Sequence, residues 1–176
     1  MKKILCILFV FLFPSSVVAN EIPLLILDKL FKYGNNVCNE EDYGDYYLTG
    51  NPISLIDISN DGIQDLIIDP YHQICGKSHS FLKGGTGGND FIFFINPTID
   101  IVKSWDPDEW GDDQEKRIYH LFIRSFEIVK WEEKNALKVQ VHGISCGVSG
   151  AQGCYEILSA TKKGFILLDG PHPNPE

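Results

Sequence analysis

The chain has 176 residues, 44% of them hydrophobic and 22% charged, which gives one domain room for a real core. Its 24 acidic side chains outnumber 15 basic ones, for a net charge of −9. An acidic surface without a basic stripe speaks against nucleic acid or an anionic membrane as partner and suits cations or a basic partner.

Residues 1–19 have the pattern of a secretory signal. Lys2 and Lys3 form a charged end, Ile4 to Phe13 is an apolar run too short to span a bilayer, and Val17-Val18-Ala19 offers small residues at a cleavage point. A mature chain beginning near Asn20 would keep 13 basic side chains against 24 acidic ones. The expected layout is a signal peptide over 1–19, a single secreted β-rich domain over 20–170 and a disordered Pro-rich tail over 171–176. Export, to periplasm or extracellular space, leaves Cys38, Cys75, Cys146 and Cys154 once Cys6 departs with the signal. An even count in an oxidising compartment favours disulfides over thiolate chemistry. Three pairings are possible. Cys38–Cys75 and Cys146–Cys154 are expected because each pair brackets its own local segment, contributing about 4 and about 2.5 kcal/mol in the chain-entropy model.

Ile22, Leu25, Ile26, Leu30 and Phe31 fall on one face of a short helix over 22–33, with Pro23 in its first turn and Gly34-Asn35-Asn36 as its end. Asn39 to Gly50 is polar and reads as a loop. Ile53–Ile56 and Leu66–Ile68 read as two strands, the second closed by Pro70. Between them lies Asp57-Ile-Ser-Asn-Asp-Gly-Ile-Gln-Asp65. Carboxylates occupy its first, fifth and ninth positions and a hydroxyl its third, with Gly62 where the chain must bend. That pattern suits a hard cation bound through oxygen, with Asp57, Ser59, Asp61, the Ile63 carbonyl and Asp65 as metal ligands and calcium as the ion. An EF-hand would need flanking helices and Glu at the twelfth position, where Ile68 stands. The competing reading is an Asn-Asp-Gly hairpin turn, which does not require Asp57 and Asp65.

Tyr71 to Asn89 reads as a long loop ending in the glycine-rich run 83–88, a cover for its neighbour; no helix follows to make it a phosphate loop. A strand follows at Phe91–Ile95. The acidic segment 105–115 contains Trp105 and Trp110, read either as aromatics folded onto the core or as a contact patch for an unknown protein or glycan partner. Alternation with one slip over 118–131, then clean alternation at Leu137, Val139 and Val141, reads as two antiparallel strands. Tyr155–Ser159 and Phe165–Leu168 form another hairpin. Gly143-Ile-Ser145-Cys-Gly147 matches the nucleophile-elbow pattern, and Asp169 and His172 follow in triad order. The elbow should open a helix, though, whereas a glycine-broken segment follows and Cys146 is expected to be tied up. His72, His79, His120 and His142 lack metal-pair spacing.

Asp57 to Leu66 resembles the Asp-x-Asn-Gly-Asp-Gly-x-x-Asp-Leu loops of FG-GAP and VCBS-type calcium repeats. A single copy excludes a propeller within this chain. A wider resemblance, over about 55–165, is to small exported bacterial proteins with no established activity. It rests on the metal-type loop, Cys75, the Gly-Thr-Gly-Gly run and the late Val-His-Gly-x-x-Cys-Gly…Gly-Cys segment. Ser59 and Asn60 depart from the repeat consensus, and Leu82 and Asn89 stand near where that family often carries two further cysteines. The sequence therefore leads us to expect a mostly-β α+β domain of antiparallel sheets with a short N-terminal helix and disulfides. Its expected role is that of a non-enzymatic secreted or periplasmic module with structural calcium. An effector acting by binding a host or rival protein, and a hydrolase using Ser145, are the alternatives.

Overall fold

The computed structural model describes residues 18–79, 82, 87–109, 111–149 and 152–174. In chain order its elements are α1 (Val18–Glu40), β1 (Tyr46–Leu48), β2 (Ile53–Ile56), β3 (Asp65–Ile68), β4 (Gln73–Cys75), β5 (Asn89–Phe94), α2 (Ile99–Ser104), β6 (Ile118–Ile123), β7 (Ser125–Trp131), β8 (Lys134–Val141), β9 (Cys154–Thr161) and β10 (Gly164–Pro173). All strand pairs are antiparallel. They build a central sheet β2-β3-β5-β6, an outer sheet β10-β9-β8-β7 and a small pair β1-β4.

Period-two alternation sorts the central sheet's side chains into two cores. Ile67, Phe91, Phe93, Tyr119 and Ile123 face the outer sheet and meet Leu137, Val139, Leu158 and Ala160 there. Phe91 packs edge-on to Phe126, and Phe93 edge-on to Phe165. The opposite face presents Ile53, Leu66, Ile68, Phe94 and Ile118 to Ile22, Ile26 and Leu30 of α1 and to Val102 of α2. The result is three layers: helices, central sheet, outer sheet. The mostly-β class with antiparallel sheets is as expected, and both expected disulfides are present, with Cα atoms 5.6 Å apart at Cys38–Cys75 and 6.3 Å at Cys146–Cys154.

Several boundaries differ from expectation. Residues 1–17 of the expected signal lie outside the described residues, and Val18 and Ala19 open α1. That helix does not stop at Gly34 but runs to Glu40. Gly34 is there for space: a Cβ would lie 2.3 Å from the Tyr46 ring, which also stacks edge-on against Phe31. The continuing turn carries Cys38 to its disulfide partner. The stretches 39–50 and 71–89, expected as loops, contribute β1 and β4, a pair closed by that same disulfide. The glycine-rich run lies outside the described residues up to 86. Gly88 abuts the Ile123 backbone, which would lie 2.9 Å from an added Cβ. The helix α2 was not anticipated; the Thr98 side chain caps it by accepting from the Ile101 N–H at 3.2 Å. The slip in 118–131 is the point at Arg124 where the chain leaves the central sheet for the outer one. The expected disordered tail is corrected as far as Pro173. His172 pairs with Tyr155 and Pro173 with Cys154 on β9.

Candidate metal centre: the Asp57–Asp65 turn

The turn joins β2, the edge strand of the central sheet, to β3, which pairs with β5 on its other side. Asn60 and Gly62 take positive φ, 60° and 84°. Nothing crowds a Cβ at Gly62, so its glycine serves the backbone angle. Asp57 accepts from the N–H groups of Asp61 (3.2 Å) and Gly62 (2.9 Å). Asp61 accepts from the Ile63 N–H at 3.1 Å and from the Asn96 Nδ2 at 2.5 Å, with the Lys162 ammonium 3.7 Å away. The Asn96 hydrogen bond, above all, holds the Asp61 carboxyl below the usual carboxylate range.

Asp65 is fully buried. Its Oδ2 accepts from the Ile58 and Ser59 N–H groups, both at 2.9 Å, and its Oδ1 from the Asn96 N–H at 2.8 Å. Burial pushes its carboxyl above the ordinary value, and the three N–H donors pull the other way. The Ser59 hydroxyl faces both Asp61 and Asp65 and favours their charged forms, yet reaches hydrogen-bond geometry with no partner among the described residues; the buried Asn96 Oδ1 is likewise unpartnered.

The fold therefore brings Ser59, Asp61 and Asp65 together, with Asp57 folded over the backbone at 61–62. Ile63 sits at the exposed tip, its side chain half in solvent. Among the described residues, no three His, Cys, Asp or Glu side chains stand together in a metal-binding group. The carboxylates are turned onto backbone N–H groups instead. A carboxylate has about four acceptor sites. Asp57 and Asp61 are each left with spare capacity, whereas Asp65, with three donors, is mainly a staple of the turn.

Sequence reasoning missed three asparagines here. Asn96 follows β5, far along the chain, and no local signal links it to the turn. Asn60 and Asn135 exchange bonds: the Asn135 N–H donates to Asn60 Oδ1 at 2.7 Å, and Asn60 Nδ2 to the Asn135 carbonyl at 3.0 Å. Asn135 Nδ2 also donates to the Asp57 carbonyl at 2.6 Å. Asn135 lies on β8 and Lys162 between β9 and β10, so the turn fastens the central sheet to the outer one. The hint was Asn60 itself, standing where the repeat consensus has glycine.

Of the other expected sites, Ser145 is exposed in a 3₁₀ turn, Gly143–Cys146, that a disulfide ties to β9. Asp169 and His172 do meet, at 2.9 Å, but no hydrogen bond joins Ser145 to His172 among the described residues. Among the described residues no α-helix follows the serine, which the elbow pattern would require. Trp105 is 2% exposed, so it belongs to the core and not to a surface contact patch; Trp110 lies outside the described residues. No described helix is long and apolar enough to cross a membrane. No family model matches the chain, and neither a curated protein nor a solved structure does.

Proposed function

We propose that the protein is an exported, non-enzymatic module in which calcium binds the Asp57–Asp65 turn and serves the structure. Calcium would draw on Asp57, Ser59, Asp61, the Ile63 carbonyl and Asp65, and its charge would offset the repulsion among three carboxylates in one turn. The observation that carries the reading is the Ser59 hydroxyl, buried between two carboxylates without a hydrogen-bond partner, beside the equally unpartnered Asn96 Oδ1. Buried oxygens in that state are costly unless something satisfies them. A cation does so, and it relieves the carboxylates at the same time. Because the same turn holds the two sheets through Asn60, Asn135 and Lys162, fixing it stiffens their junction. Two disulfides suit an oxidising compartment.

The test is calorimetric titration of the oxidised chain with calcium and with magnesium. Dissociation constants of roughly 10⁻⁴ to 10⁻³ M are expected for calcium, and weaker ones for magnesium, which keeps its waters. Ser59→Asp adds a charged ligand and should tighten calcium binding about tenfold while lowering the melting point in chelator. Absence of binding heat for both the wild-type protein and Ser59→Asp would remove calcium from the account.

A further inference from the structure

The two larger sheets have four edges: β2 and β6 in the central sheet, β10 and β7 in the outer one. An edge strand presents unpaired backbone groups, and proteins usually blunt it with charge or proline. Three of these edges show little apolar surface. β2 and β6 carry one exposed large apolar side chain each, Leu55 and Phe122, and the exposed positions of β7 are Ser125, Glu127 and Lys130. β10 differs. Ile166, Leu167 and Leu168 are consecutive and 55%, 51% and 38% exposed, and from Gly164 to Leu168 the strand has neither a charge nor a proline. Ile166 stands opposite Ser159 and Leu167 opposite Leu158, so apolar surface shows on both faces of the same edge. Among the described residues no strand pairs with β10 on the side away from β9.

The free stretch is short and its ends are charged. Lys163 precedes it, exposed and without an ion pair among the described residues. Asp169 follows it, and its Oδ1 is taken by His172 and the Gly170 N–H, at 2.9 and 3.0 Å, which leaves Oδ2 for a further cation. The register with β9 shifts after Leu167, so regular pairing on the free side is confined to about Gly164–Leu168. The direction of the backbone groups follows from the turn. Thr161 and Gly164 flank the two-residue turn Lys162-Lys163, and such a turn closes on a hydrogen-bonded pair. By alternation Ile166 bonds toward β9, while Phe165 and Leu167 aim their N–H and C=O groups away from it.

We propose that β10 pairs antiparallel with β10 of a second copy of this chain, about a two-fold axis through Ile166. Phe165 of each copy then stands opposite Leu167 of the other, and the outward N–H and C=O groups of both are exchanged. The two Ile166 side chains meet at the axis, and Leu167 and Leu168 lose water. The same register brings Lys163 of each copy beside Asp169 of the other. The charges at the ends of the edge are thus self-complementary, as a two-fold interface requires, and this selects a second copy as the occupant. The interface is small, and two chains of net charge −9 repel one another. The product is a transient, closed dimer in which two outer sheets become one. The proposal does not depend on calcium.

Sedimentation equilibrium of the oxidised chain tests it. A reversible monomer–dimer equilibrium is expected, with a dissociation constant between about 10 μM and about 1 mM and no larger species. Ile166→Lys, at an exposed position, sets two ammonium groups face to face and should abolish the dimer without disturbing amide dispersion. Lys163→Glu and Asp169→Lys should each weaken self-association about tenfold, because each makes both end contacts repulsive. An equimolar mixture of these two variants should dimerise again, since both contacts in the mixed pair are then opposite in sign. Ile166→Cys should oxidise to a dimer linked through residue 166, because facing residues in a non-hydrogen-bonded pair have Cα atoms about 4.5 Å apart, within reach of a disulfide. Leu24→Cys, on the exposed side of α1, should not. A chain that stays monomeric to about 1 mM, self-association unchanged in Ile166→Lys, assembly beyond the dimer, or a mixture of folded charge variants that fails to recover would each overturn the proposal.

Discussion

At the scale of single residues, the three aspartates of the turn have separable duties. Asp65 is buried and holds three backbone N–H groups, so Asp65→Ala leaves three donors without an acceptor in a site closed to water. A loss of about 3 kcal/mol or more in unfolding free energy is expected, with or without calcium. Asp61 is exposed at the tip and near Lys162. Asp61→Ala should change the calcium-free stability by less than about 1 kcal/mol and abolish the response to calcium. Urea unfolding of both variants in calcium and in chelator reads the two effects apart; equal losses in chelator would contradict the division. The nine-residue spacing was legible in the sequence because its ligand-type residues are close along the chain. The division of labour was not: it depends on Asn96, whose backbone N–H reaches Asp65 only after β5 has paired with β3.

At the scale of elements, strand alternation was easy to read, since each strand of the central sheet has a distinct core on each face. Helix ends were harder. Gly34 carries a local stop signal, and a tertiary requirement, the close approach of the Tyr46 ring, overrides it. The short β1-β4 pair was illegible for a related reason: three-residue strands have too little period, and it is the Cys38–Cys75 link that brings them together. Gly34→Ala should therefore destabilise the protein, by about 1–3 kcal/mol, despite the better helix propensity of alanine. The loss should be concentrated in hydrogen-exchange protection of 34–48 and 73–75. A gain in stability from Gly34→Ala would mean that the ring moves aside without cost and that α1 is not held by this packing.

At the scale of the whole molecule, the outer sheet and the helix layer pack on opposite faces of the central sheet, and the Asp57–Asp65 turn is a place where that sheet is hydrogen-bonded to the far hairpins through Asn135 and ion-paired through Lys162. Strand alternation and the even cysteine count pointed to the β-rich core and the two disulfides that the structure has. The central claim is that calcium completes the turn and thereby stiffens the junction between the sheets, and thermal melting of the oxidised chain in calcium and in chelator tests it most directly. At calcium about ten times Kd, binding to the folded form alone contributes about 1.4 kcal/mol, a rise of roughly 3–6 °C in Tm for a chain of this length. The account predicts that rise with calcium, a smaller one with magnesium and none in Asp61→Ala. Superimposable curves in calcium and chelator, on protein shown to be folded, would contradict it and leave the turn as a hairpin held by its own backbone.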